Sequence, residues 1–485
     1  MTSHSRWGSW GWLGLFLWLA GCATAQSTQS TQPVQPAQAT QPDPVASPPV
    51  TGAAAVAFVG VSVLPLDSDR VLENQTVVVR GDRIEAMGPS ASTPVPAGAA
   101  QIDGRGRYLM PGLADMHIHL LPGEGAASDP AGQQLSLLLA NGITTARALV
   151  APPSALALRD RVARGELTGP MLRVAGPSFH GKSVQNPEQA RQRVREQKAA
   201  GYDLLKTHGG LSRETYDAMM AEAKALGLRV SGHVTQEVGL PHALASGQQI
   251  EHLDGYLAAL LPPGDKTQVD QVEFGDALAR MSPARIPALA EATKQAGIFN
   301  SPTLALFEIV ASDGAVPELR TSRQLRYVPS TAVDKWMKEL LTGPLAEASV
   351  PGKHRFLELR RQVLQGLHAA GAPLLVGSDS PQLFMVSGFA FHQEMEAMAS
   401  TGLPPLTVLQ AATRNAAAYF GESDQWGSVA PGQRADLLLL NANPLQDVKL
   451  TRAIVGVMVR GQWLPRSELD ARLEQVAAAA KATKG

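Results

Sequence analysis

The chain has 485 residues, 44% of them hydrophobic, enough to bury a large core across roughly two to four domains, or fewer if one barrel of about 250 residues takes most of it. Its 42 basic and 43 acidic residues nearly cancel and form no basic stripe, which excludes an electrostatic case for nucleic acid as a partner. Cys22 is the single cysteine, which excludes an intrachain disulfide.

At the amino end one arginine, Arg6, precedes an apolar run from about Trp10 to Ala20. The run is shorter than the ~20 residues a spanning helix needs. It has the length of a signal-peptide core, so residues 1–21 are expected to be a signal peptide. The run ends in Leu19-Ala20-Gly21-Cys22, which resembles the lipobox of bacterial lipoproteins. That resemblance implies cleavage before Cys22 and acylation of its thiol and new amino terminus. Several acyl chains anchor stably where one binds only marginally. An ordinary cleaved signal followed by a chance cysteine is the other reading. Ala23 stands where an Asp would suggest inner-membrane retention in some bacteria. The expected location is therefore the cell envelope, at the outer membrane facing the periplasm, with the lipid anchor as the membrane contact. Residues 22–53 are dominated by Gln, Thr, Ser and Pro, with Asp43 as the one charge. Such a segment buries too little apolar surface to offset its ordering entropy and reads as a disordered tether.

The folded body is expected from residue 54. Residues 55–62, 76–80 and 83–87 read as short strands, with turns at Gly81-Asp82 and Gly88-Pro89. These belong to a first β segment, 54–108. From 109 to 421 the pattern alternates between apolar runs and helical stretches. Runs that read as buried parallel strands occur at 113–118, 143–149, 171–175, 202–206, 228–233, 249–252, 298–304 and 373–378. Helical patterns lie between them, as at 187–200, 212–226 and 239–246. Eight such units predict a closed parallel barrel. Two connections, 256–297 and 306–372, are long, and since loops after strands form the active-site face of such barrels, they are expected to cover the site. Strands return at 436–440 and 453–464, within a second β segment, 422–465. The fold class predicted is α/β: a (β/α)8 TIM-like barrel with a small composite β-sandwich formed by both ends of the chain. Residues 466–485 read as a charged, Ala-rich terminal helix and tail.

Several of the barrel runs end in a residue that can bind a metal ion. Alternate residues of a strand face the same side, so His117 and His119 point together into the barrel, as two imidazoles on one ion would. Lys206 closes the fourth run, His233 the fifth, His252 the sixth, and Asp379 follows the eighth. Each has an ordinary reading of its own. The histidine pair fits a hydrogen-bonded strand, Lys206 a side chain snorkelling outward, each lone histidine a structural role, and Asp379 a helix cap. Jointly these readings fail, because every one of the groups falls at a strand's carboxyl end, where barrel catalysis occurs. Imidazole and carboxylate are also the ligands zinc uses.

The ordered set resembles the amidohydrolase superfamily, nearest its imidazolonepropionase-like and Xaa-Pro dipeptidase-like branch. The residues that carry the likeness are Met110-Pro111-Gly112-Leu113-Ala114-Asp115-Met116-His117-Ile118-His119 and Gly142-Ile143-Thr144-Thr145-Ala146-Arg147. Lys206, Gly232-His233, Glu251-His252 and Gly377-Ser378-Asp379-Ser380 follow, and then Pro431-Gly432-Gln433-Arg434-Ala435-Asp436-Leu437. The likeness spans about residues 54–465. It implies two divalent metal ions, zinc first and manganese as the alternative. His117, His119 and Asp379 would hold one ion, His233 and His252 the other, and carboxylated Lys206 would bridge them. A metal-bound hydroxide would attack a carbonyl, with Asp379 passing its proton to the departing amine. Some relatives work with one metal and no bridging lysine; Lys206 argues for two.

His180 after the third strand, His208 two residues past Lys206, and Tyr256 shortly after His252 are candidate substrate contacts, with surface or outer placement as their alternative. His242, His368 and His392 lie on helical stretches and read as structural. Residues 300–303 read as a pocket wall. The expected reaction is hydrolysis of an amide, dipeptide or cyclic amide, on a peptide-like or N-acyl amino acid substrate. A lactone, ester or phosphotriester hydrolase is the runner-up on the same scaffold. A non-catalytic binding lipoprotein is the remote alternative, whose mark would be lost ligands; here all the expected positions are filled. No feature of the sequence specifies an oligomeric state.

Overall fold

A computed structural model describes residues 55–483 apart from 266–275, 313–315, 344 and 347. The expected signal peptide, Cys22 and the tether lie outside the described residues. Residues 54–485 group as one compact unit.

Five strands come first: β1 (Val56–Val63), β2 (Leu72–Arg80), β3 (Arg83–Pro89), β4 (Ala100–Asp103) and β5 (Tyr108–Pro111). Then follow β6 (Leu113–His119), β7 (Ile143–Val150), β8 (Met171–Val174), β9 (Leu204–Thr207), β10 (Arg229–Gly232), β11 (Gln249–Glu251) and β12 (Asn300–Ser301). Near the end come β13 (Leu437–Leu440), β14 (Ile454–Val459) and β15 (Gln462–Pro465), then the helix Arg466–Ala482.

Strands β6 to β12 run parallel, β6-β7-β8 in one ladder and β9-β10-β11-β12 in another. Bridges from Ala175 to Leu204 and from Phe179 to Thr207 join the two. The ring closes through residues 373–380. Asn300 N donates to Pro373 O (3.1 Å), Met116 N to Val376 O (2.9 Å) and Asp379 N to His117 O (2.8 Å). This is the TIM-like barrel. The eighth run forms no regular ladder, for a local reason. The Asp115 carboxylate takes the amides of Ser378 (2.9 Å) and His117 (3.2 Å), bonds that would otherwise go to carbonyls. The seventh run is also cut short. Thr303 turns left-handed at φ 50° and the chain enters the helix Leu304–Val310.

The helices between the strands start where short polar side chains meet their free amides. Asp129 caps Pro130–Ala140, Asn186 caps Pro187–Ala199, and Ser212 caps Arg213–Ala225. Their apolar faces pack on the strands, with Leu138, Val162 and Val174 fully buried or nearly so. The two long connections carry helices of their own, among them Ile286–Gln295, Ser330–Thr342 and Val350–Ala370. The last of these reaches the barrel mouth, where Arg360 donates to the carbonyl of His252.

Strands from the two ends of the chain share one sheet, in the order β15-β14-β13-β5-β1-β2-β3, with β4 also beside β1. The sheet curls on itself into a sandwich. Ile84 N in β3 donates to Gln433 O in the segment before β13 (2.9 Å), and Trp463 stands edge-on to Phe58 at 5.3 Å. Phe58, Val77, Ile84, Leu437 and Met458 share the core between the layers. Gly112 alone separates β5 in this sheet from β6 in the barrel. A side chain there would lie 2.2 Å from Thr144 Oγ1, so the approach of the two strands requires glycine. Among the described residues no helix is long and apolar enough to cross a membrane.

Candidate metal centre

The strand β6 delivers His117 and His119 to the same side, with the intervening Ile118 turned into the apolar core. Both Nε2 atoms aim at one carboxylate oxygen: Asp379 Oδ1 lies 3.2 Å from His117 and 3.0 Å from His119. These three residues each offer a ligand atom, all within 4.8 Å of one another. Asp379 has a left-handed backbone (φ 54°), as does His252 (φ 62°). Such conformations cost side-chain-bearing residues on the order of 1–3 kcal/mol and cluster at functional sites.

Lys206 is buried, and its Nζ lies 3.5 Å from His117 Nε2. Among the described residues it makes no ion pair. The rings continue from there: His117 to His252 at 4.8 Å, His252 to His233 at 4.6 Å, and His233 stacked on His208 at 4.8 Å. All six side chains singled out in the sequence therefore meet around one space at the strands' carboxyl ends.

Electrostatics keeps the cluster poised for a cation. Burial holds the His117 imidazole neutral, with its pKa down at about 4, and pushes His252 well below its ordinary value. Burial also lowers the Lys206 ammonium, against the pull of Glu251 and Asp379. For Asp379 burial acts upward, but the charges of His117, His119 and Lys206 outweigh it and hold the carboxyl at about 2. Its Oδ1 is buried without a hydrogen-bond partner. An orphaned carboxylate oxygen between two imidazoles fits a bound divalent cation, and the donor types are those of zinc sites.

Each of three imidazoles has its Nδ1 held from outside: His117 by Glu251 Oε2 (2.9 Å), His252 by Thr303 Oγ1 (2.8 Å) and His233 by Asp254 Oδ2 (2.7 Å). Glu251 in turn receives Arg147 Nη2 and Ser231 Oγ, each at 2.5 Å. Burial works against its charge, and Arg147 and His117 outweigh it, keeping Glu251 well below the usual carboxylate range. Arg360, buried over the Phe307 ring at 3.5 Å, donates to His252 O. Sequence reasoning assigned no role to Glu251, Arg147, Asp254 or Arg360, and gave Thr303 only a place in the pocket wall. The available signal was a charged residue inside an apolar run, as at Arg147 and Glu251, since such charges are buried only with partners.

The candidate substrate contacts divide. His208 is largely buried beside His233 with Nδ1 unpartnered, and burial pushes its pKa far down. His180 sits half-buried on the loop after β8, its Nδ1 accepting from Lys182 N at 3.3 Å. Tyr256 is not at the cluster. Gly255 (φ 82°) turns the chain into the helix Tyr256–Ala259, and the tyrosine hydroxyl bonds Thr293 Oγ1 at 2.8 Å among Ile286, Leu289 and Val363. His392 ties Thr451 Oγ1 (2.9 Å) to Asn141 O (3.0 Å), and His242 bonds Asp217 at the surface. Of the expected pocket wall, Ser301 contacts Arg147 and Thr303 contacts His252.

The family described as the amidohydrolase family matches residues 108–464. Imidazolonepropionase of Ralstonia nicotianae is 26% identical over 398 residues, spanning 79% of this chain and 90% of that protein. The crystal structure of a putative prolidase from Bifidobacterium longum is 24% identical with a TM-score of 0.63, covering 87% of this chain and 99% of that one. The structure titled bottromycin amidohydrolase reaches a TM-score of 0.69 at 24% identity, over 88% of this chain and 90% of its own.

Proposed function

The chain belongs to the amidohydrolase family, and from that premise we propose that it hydrolyses an amide, dipeptide or cyclic amide at a centre of two divalent metal ions. The family membership supports a hydrolase acting on a carbon–nitrogen bond. The observation that carries the metal reading is the orphaned Asp379 Oδ1, set 3.2 and 3.0 Å from two imidazole Nε2 atoms. His117, His119 and Asp379 would hold one ion, and His233 and His252 the other. Lys206 would bridge as a carbamate: its uncharged amine adds to carbon dioxide, an N–C bond forms and one proton leaves. That change turns a cation into an anion, and it suits a buried lysine without an ion pair. Zinc is the first choice of metal and manganese the second.

Bound divalent metal supplies Lewis acidity, lowering the pKa of water to about 7 and polarising a carbonyl oxygen. The protein's own part is proton management. With its carboxyl held at about 2, Asp379 is ionised at neutral pH. It takes a proton from the attacking water and gives it to the departing amine as the carbon–nitrogen bond breaks. His208, whose Nδ1 has no partner beside His233, and His180, on the loop after β8, are the residues to which we assign substrate contact. A peptide-like or N-acyl amino acid substrate is the class we favour, since the fold is shared with chains described as a prolidase and a bottromycin amidohydrolase.

Cys22 carries a second part of the proposal, on its sequence context alone: a lipid anchor placing the enzyme at the outer membrane, facing the periplasm.

Purified enzyme is expected to contain a pair of divalent ions and to turn over dipeptides or N-acyl amino acids. Asp379→Asn is expected to lower turnover by at least about 10²-fold with the melting temperature kept. Metal-free protein from metal-replete cells, or an Asp379→Asn chain as active as its parent, would sink the reading. Turnover of lactones or phosphotriesters alone would replace its substrate class.

A further inference from the structure

The imidazole of His117 lies between two carboxylates. Glu251 Oε2 is 2.9 Å from Nδ1, and Asp379 Oδ1 is 3.2 Å from Nε2. A neutral imidazole has one N–H, so it can donate to only one of them. If Nε2 carried the hydrogen, it would point into the cluster and the ring could not ligate. We propose that Glu251 is a positioning residue, which draws the His117 hydrogen to Nδ1 and leaves the Nε2 lone pair facing the space shared with His119 and Asp379.

Three observations favour Glu251 in this competition. Its contact is the shorter and satisfies hydrogen-bond geometry, whereas the 3.2 Å approach of Nε2 to Asp379 Oδ1 does not. Its other oxygen is committed to donors, Arg147 Nη2 and Ser231 Oγ at 2.5 Å each, so the carboxylate acts as an acceptor only. Arg147 itself has no freedom to leave. Its Nε donates to Met116 O (2.5 Å), Nη2 also faces Ser301 Oγ (3.3 Å), and the guanidinium lies 4.7 Å over the Tyr419 ring. The chain from Tyr419 through Arg147 and Glu251 to His117 thus joins β7, β11 and β6. A carboxylate behind a ligating imidazole fixes its tautomer and orientation, and losing such a partner typically costs about 10–100-fold in metal affinity.

This inference rests on the metal-centre reading, and its test separates the two. The full chain, metal-free and labelled with 15N-histidine, is examined by long-range 1H–15N NMR at neutral pH, with His117 assigned by its absence from a His117→Asn chain. The expected spectrum has Nδ1 protonated and Nε2 bare. Finding the hydrogen on Nε2 would overturn the proposal whether or not metal binds. In Glu251→Gln the two tautomers should mix, and zinc affinity by chelator competition should fall about 10–100-fold. A Glu251→Gln chain with unchanged tautomer and unchanged zinc affinity would also overturn it. If that variant does not fold, the wild-type tautomer decides alone. A wild-type chain that binds no zinc yet shows the Nδ1 tautomer would end the metal reading and leave the positioning of His117 standing.

Discussion

Gly377 shows how little slack the centre has at the scale of one residue. A β-carbon there would stand 2.8 Å from His117 Cβ and 3.2 Å from its backbone amide. Both atoms belong to the strand that carries the histidine pair, so Gly377→Ala must push β6 outward. Since a misplacement of about 1 Å can cost about 10²-fold in rate, we expect turnover of Gly377→Ala to fall by that order, measured beside its zinc affinity. A variant with wild-type values of both would show that the strand yields without moving the ligands. At this scale the sequence was informative about identity. Histidine, lysine and aspartate at strand ends are few enough to pick out. It was less informative about direction. Tyr256 lies four residues from His252, yet its ring enters the helical layer, because positive φ at His252, Leu253 and Gly255 redirects the chain before the helix begins.

Among the elements, the helix Phe389–Ser400 depends on a buried histidine. His392 accepts or donates to Thr451 Oγ1 and donates to Asn141 O, and burial, reinforced by Arg452, holds its pKa at about 3. In the unfolded chain the ring would titrate near its ordinary 6.5. Between these values the unfolded state binds the extra proton. The stability from the neutral ring is therefore present above 6.5 and is lost as pH falls through the window toward 3, by up to about 1.4 kcal/mol per pH unit. Urea unfolding at pH 7 and pH 5 should show a smaller acid loss in His392→Gln than in the parent; equal losses would mean another group sets the slope. Legibility at this scale followed burial. Long apolar runs such as 113–118 and 143–149 became β6 and β7 with little change of bounds. The seventh and eighth runs did not become regular strands of their full length. Thr303 bends one into a helix, and the Asp115 side chain takes ladder amides from the other. Both causes are single contacts that a hydrophobic period does not encode.

For the whole molecule, the proposed location rests on residues outside the described part. The lipobox-like Leu19-Ala20-Gly21-Cys22 predicts that Cys22→Ser abolishes incorporation of labelled fatty acid and releases the enzyme from the membrane fraction. Unchanged membrane association of the variant would dismiss the anchor. The rest of the molecule couples sandwich and barrel closely: Gly112 alone separates β5 from β6, so the composite sandwich holds the start of the strand that ends in His117 and His119.

By itself the sequence determined the fold class and which six side chains could meet, because strand alternation and a parallel barrel place every strand's last inward residue at one rim. Only the tertiary structure decided what stands behind those residues. Glu251, Arg147 and Ser231 lie on separate strands far apart in the chain, and closure of the ring brings them under His117. No local pattern records such contacts, since each is fixed by the packing of strands whose order and register the chain sets as a whole.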